Sequence, residues 1–147
     1  MFRSATSARV TPARAGRPGG LPSAANGWPQ ALVGPDGRTV CDRCSVADTF
    51  LPRLRGLLGR RGLAPGEGLL LRPCSSIHTM FMRFAVDVVF LDRELRVVHV
   101  VPNLRPWRLA ASKGARSVLE LAEGESERRG IRTGEALTLV PSARAAA

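Results

Sequence analysis

Three observations predict a compact, mostly β domain, an antiparallel barrel or sandwich with two short helices. Short Val-, Leu- and Phe-rich runs recur along the middle of the chain, Gly-, Pro- and Asp-bearing turn signals separate them, and only two brief segments read as helix. The 147 residues suffice for one domain with its own core, and 44% hydrophobic with 23% charged residues is ordinary globular composition. That balance excludes collagen-like repeats, a pure coiled coil and wholesale disorder. No run approaches the ~18 apolar residues that cross a bilayer, so no membrane span is expected.

Met1 to Trp28 is rich in Ala, Gly, Pro, Ser and Arg, without apolar periodicity. Residues 1–29 therefore read as a disordered basic tail, 30–141 as a single β-rich domain, and 142–147 as a disordered C-terminus. Ala31–Val33 and Thr39–Val46 flank Gly34-Pro35-Asp36-Gly37 and form a hairpin candidate. Asp48 or Thr49 can cap a helix carrying Phe50, Leu51, Leu54, Leu57 and Leu58, with Pro52 tolerated in its first turn. Gly68–Leu71 reads as a short strand. Phe84–Asp92 and Arg96–Pro102 are stronger strands around the turn-like Asp92–Leu95, and Ser117–Leu121 and Ala136–Val140 complete the set. Between the last two, Gly124–Gly130 reads as a short helix or turn.

The net charge of +10 comes from 22 basic residues, of which only Lys113 is a lysine, against 12 acids. Four of the positive charges, Arg3, Arg9, Arg14 and Arg17, sit in the tail. With five Phe, two Trp and no Tyr, aromatic platforms for stacking bases are scarce, which argues against a nucleic-acid partner. The tail has basic residues but no apolar signal-peptide core, and three cysteines give no disulfide framework, so a cytoplasmic location is expected.

Five ordered motifs carry a family resemblance. They are Arg53-Leu-Arg-Gly-Leu-Leu-Gly-Arg60, Gly66-Glu-Gly-Leu69, Pro73-Cys-Ser-Ser-Ile-His-Thr79, Met82-Arg-Phe-Ala-Val-Asp-Val-Val-Phe-Leu-Asp92 and Val118-Leu-Glu-Leu121. Together, from about Val40 to Leu139, they resemble the prokaryotic domain of unknown function 192 family. The resemblance implies a small β-rich domain and supplies no activity. One departure is Ala85, where Pro would be expected before the Val-Asp pair.

Asp87 stands in an otherwise apolar strand, where an unpaired carboxylate would cost several kcal/mol. It is expected to be buried and to accept hydrogen bonds from the 74–82 segment, either bracing that loop or orienting His78. The Pro73–Met82 loop gathers Cys74, Ser76, His78, Thr79 and Met82, and Trp107 between Arg105 and Arg108 could cap a pocket beside it. These residues with Asp87 form the candidate ligand site of a non-enzymatic binding or accessory domain, its partner a small ligand or another protein. A hydrolase using Cys74 or Ser76 with His78 and Asp87 is the alternative, although no Gly-x-Ser-x-Gly elbow is present. A zinc set of Cys41, Cys44, Cys74 and His78 can also be written down, but the first pair falls on a strand rather than a knuckle. No cofactor motif is read.

Overall fold

The computed structural model describes residues 30–48 and 61–142. In chain order these form β1 (Gln30–Val33), β2 (Thr39–Ala47), β3 (Glu67–Leu71), β4 (Ser76–His78), β5 (Val86–Leu91), β6 (Val97–Leu104), β7 (Leu109–Ala111), β8 (Ser117–Ala122), a one-turn helix α1 (Glu125–Arg128) and β9 (Thr138–Pro141). The expected tail, the expected helix from Thr49 to Leu58 and the final residues lie outside the described set.

The predicted mostly β class holds. Seven strands make one sheet in the order β6-β5-β8-β3-β2-β1-β9, and β4 and β7 pair separately as a two-stranded ribbon. The predicted hairpin joins β1 to β2, with Gly37 at φ 81° in its turn and its N–H donating to the Gly34 carbonyl at 3.0 Å. All neighbours are antiparallel except β2 and β3. Their connection, residues 48–66, has the length that a parallel crossover requires. The sheet is thus mixed, and it layers like a sandwich rather than closing as a barrel. β6 and β9 remain its edges, and the segment just before β9 meets the start of β6, where Arg96 bridges Ala136 and Val97 bonds through its backbone to Gly134 and Glu135.

β5 and β8 are buried along their whole length, because both faces of the sheet are covered. One face packs Leu32, Leu70, Val89, Leu91, Leu119 and Leu121 against Ile131 and Leu137 from the C-terminal segment. The other packs Val86, Val88, Phe90, Val118 and Leu71 against Ile77 of β4, with Ala110 of β7 at its margin. The ribbon is therefore the cover of the second face. Three residues per strand carry too short an alternation to be read from sequence, and neither β4 nor β7 was expected.

Candidate functional site

The ribbon pairs Ser76 with Ala111, Ile77 with Ala110 and His78 with Leu109. Period-two alternation turns Ile77 inward and leaves Ser76 and His78 exposed on the outer side. Beyond His78 the chain turns at Thr79, a fully buried residue that ties the two arms together. Its hydroxyl donates to the Arg105 carbonyl at 2.6 Å and accepts from the Arg108 N–H at 2.9 Å. Its own N–H donates to the Arg108 carbonyl at 2.9 Å, and its carbonyl accepts from Trp107 N–H at 3.0 Å and Met82 N–H at 3.2 Å. Every polar atom of this threonine is engaged.

That hub holds an apolar tip in solvent. Leu109 is 71% exposed, Phe81 70%, Trp107 57% and Met80 37%. The Phe81 and Trp107 rings lie 4.8 Å apart, tilted by 58°. Both residues have left-handed backbones, φ 65° and 63°, which for bulky side chains is costly and survives only where surrounding structure imposes it. Arg83, Arg105 and Arg108 are exposed around the tip, and Lys113 and Arg116 are exposed at the ribbon's other end. None of these five cations is in an ion pair among the described residues, and all 12 acids of the chain are among them. Segments 73–86 and 97–116, which build the ribbon and its turns, contain no acid at all.

The structure thus brings Thr79, Arg105, Trp107 and Arg108 together with the strand carrying Ser76 and His78. Met82 instead is buried in the core beneath. Cys74 is half-buried, its thiol donating to the Ser76 carbonyl at 3.0 Å, beside an open depression of about 330 Å³ lined by Pro73, Cys74, Ser75, Ser76, Ala115 and Arg116.

Asp87 is elsewhere. It is fully buried, as expected, but it points to the sheet face away from the ribbon, across from Leu121. One oxygen accepts from the Asn103 N–H at 2.9 Å, the other from the Ser126 N–H at 2.9 Å and the Ser126 hydroxyl at 2.5 Å. The carboxylate braces β6 and the first turn of α1, not the 74–82 loop, because strand alternation sends residue 87 to the face opposite Val86 and Val88. Neither a chain of hydrogen bonds from Cys74 or Ser76 through His78 to Asp87 nor the four-residue zinc set is assembled. Cys41 and Cys44 are buried in the core of that same far face, while Cys74 packs against the core under the ribbon.

A family model, DUF192 (Uncharacterized ACR), matches residues 32–139. The chain belongs to the DUF192 family. It is 36% identical over 97 residues to a UPF0127 protein of Thermococcus sibiricus, and the match spans 60% of this chain and 60% of that protein's length. With UPF0127 protein PH1112 of Pyrococcus horikoshii the identity is 37% over 89 residues, covering 56% of this chain and 74% of the relative. The crystal structure of a protein of unknown function from Novosphingobium aromaticivorans shares the fold, with TM-score 0.65 and 24% identity over 75% of this chain and 83% of that one.

Within this DUF192 chain, sequence reasoning passed over one ionisable group. Glu120 on β8 lies between Leu69 and Val88, on the sheet face that the ribbon covers. It is 3% exposed, and its Oε2 has no hydrogen-bond partner among the described residues. Burial pushes its carboxyl up to about 8. Its signal was available in Val118-Leu-Glu-Leu121, an acid inside an apolar run of the same kind as Asp87. No group of three or more His, Cys, Asp or Glu suited to a metal ion occurs among the described residues. Nor is any helix among them long and apolar enough to cross a membrane.

Proposed function

We propose that this DUF192 domain is a non-enzymatic binding module whose contact surface is the ribbon tip, and that its partner is anionic and apolar at once. The single observation behind the reading is the coincidence of four exposed large hydrophobics with cations that have no internal acid to pair with. A contiguous apolar patch on a monomer's surface commonly marks an interaction site. Unpaired arginines around it favour carboxylate, phosphate or sulfonate groups. Thr79 fixes the tip in advance, which lowers the ordering cost of binding. Cys74, Ser76 and His78 then form the flank of the surface rather than a catalytic set.

The test uses anilinonaphthalene sulfonate, which joins an apolar ring system to an anion. Wild-type protein should enhance its fluorescence saturably. Phe81→Ser with Trp107→Ser should abolish that site while leaving the unfolding free energy in urea within about 1 kcal/mol of wild type, since exposed side chains contribute little to stability. Unchanged probe binding in the double variant would remove the tip from the reading. The hydrolase alternative would gain if Cys74 were labelled rapidly by an electrophile at neutral pH and a broad ester and peptide screen gave His78-dependent turnover.

A further inference from the structure

From the shape and charge of the tip we infer that its partner is the surface of an anionic lipid bilayer, which the protein enters shallowly with Phe81, Trp107, Leu109 and Met80. This rests on the binding-surface reading above and adds the identity of the partner. Three classes of anionic partner could meet such a surface, namely single-stranded nucleic acid, an acidic protein and a bilayer, and the geometry separates them.

Base stacking needs an open aromatic face or a gap between two rings. Here the two rings lie 4.8 Å apart and tilted, packed on each other, so no base fits between them and only their outer faces are open. The most exposed members, Leu109 and Phe81, are an aliphatic side chain and a ring whose backbone turn thrusts it outward. Leu109 and Met80 gain nothing from a base.

An acidic protein partner would need a matching surface as well as an apolar patch. The exposed parts of the four side chains sum to on the order of 500 Å², given 150–250 Å² for a whole large side chain. A protein meets such a tip only through a complementary hollow. A bilayer has no such requirement, since an insertion tip needs only a few apolar groups and no opposing shape.

The remaining chemistry fits the headgroup region. Trp is favoured at the boundary between headgroup and hydrocarbon, where its ring is buried and its N–H stays wet. Arg83, Arg105 and Arg108 are exposed within two residues of Phe81 and Trp107, and Arg pairs with phosphate bidentately. Lys113 and Arg116 continue the positive strip along the ribbon. The absence of any acid from both ribbon segments removes the repulsion that an anionic membrane would otherwise impose. No step of covalent chemistry is involved.

The experiment uses the full chain with Trp28→Phe, so that Trp107 is the sole tryptophan, and vesicles of phosphatidylglycerol with phosphatidylcholine or of phosphatidylcholine alone. The expected results are cosedimentation with the anionic vesicles only, a blue shift of Trp107 emission, and quenching of that emission by brominated acyl chains. Arg105→Ala with Arg108→Ala should weaken vesicle binding about 30-fold, at about fivefold for each cation removed. Arg105→Lys with Arg108→Lys, which keeps the charge, should stay within severalfold of wild type. Phe81→Ser should lose the deep quenching. Absence of a Trp107 shift on anionic vesicles overturns the inference, as does preferential binding to single-stranded DNA or to a polyglutamate peptide under the same conditions. If the sulfonate probe still binds the tip while vesicles do not, the bilayer reading falls and the binding surface stands. If neither binds, both fall.

Discussion

Two buried carboxyls in adjacent strands behave oppositely because of what surrounds them. Asp87 accepts three hydrogen bonds and holds α1 to the sheet, whereas Glu120 sits one strand away with an oxygen left unpartnered. Asp87→Leu would strand the Asn103 and Ser126 donors, so it should cost roughly 3–5 kcal/mol in urea unfolding, and Asp87→Asn, which keeps one acceptor, markedly less. For Glu120 the consequence is a pH dependence. Its folded-state carboxyl titrates near 8, far above its usual 4.5. Between those values the folded protein keeps a proton that the unfolded chain has released, so stability declines as pH rises through that window and levels off above it. Glu120→Gln should remove this slope. Its stability relative to wild type should therefore improve by a few kcal/mol between pH 5 and pH 8, and a constant difference would refute the assignment. Asp87 was legible as a buried residue because its neighbours are all apolar, but its partners were not. They come from residues 103 and 126, which no local pattern links to position 87.

At the scale of elements, the ribbon and α1 each depend on one small group of polar bonds. Thr79→Val keeps the volume but removes the donor to Arg105 and the acceptor for Arg108. It should cost about 1–3 kcal/mol and hasten amide exchange at Arg108, while Thr79→Ser restores much of both. The α1 end is fixed differently. Buried Glu125 accepts from Gly66 N–H, Arg128 and Arg129, and Arg129 reaches on to Asp42. Gly66 has φ 82°, and a Cβ there would lie 2.3 Å from an Asp42 oxygen. Gly66→Ala should therefore destabilise by about 2 kcal/mol or more, read by thermal unfolding, through both backbone strain and displacement of Asp42. The longer strands and their turns could be read from sequence because their apolar runs exceed four residues and end in Gly, Pro or Asp. The ribbon could not, since its two arms are separated by some 30 residues of chain and each is three residues long. Its chemistry was half visible. Trp107, Arg105 and Arg108 were grouped with the 73–82 loop on residue type, yet no local pattern marks Phe81 and Leu109, the most exposed of the large hydrophobics, as surface residues.

The whole molecule is a central pair of strands, β5 and β8, sealed on both faces and flanked by progressively less protected neighbours. Native-state hydrogen exchange should follow that gradient, slowest in β5 and β8 and fastest in β9 and the ribbon. Equal protection in the ribbon and in β8 would mean that the ribbon unfolds only with the entire sheet. The mixed topology escaped sequence reasoning for a related cause. Strand runs alone do not state direction, and the parallel step from β2 to β3 is set by the long connection between them.

Strand β2 carries one further consequence. Cys41 and Cys44 are three residues apart, which in regular alternation would put them on opposite faces, yet both are buried in one core and the Cys41 thiol, with burial, pushes the Cys44 thiol up. A register shift against β1, where Gln30 and Leu32 oppose Cys44 and Cys41, inserts the extra residue that brings them together. The strand therefore has a phase, and the bulge is where it is reset. Deleting Asp42 or Arg43 would be far more than a local edit. Either the parallel alignment with β3 would slip by one place, or every side chain from Cys44 to Ala47 would change sides. Length in this stretch is under tighter constraint than residue identity, so variants of the domain should exchange the thiols for other small apolar groups far more readily than they lose or gain one residue between them.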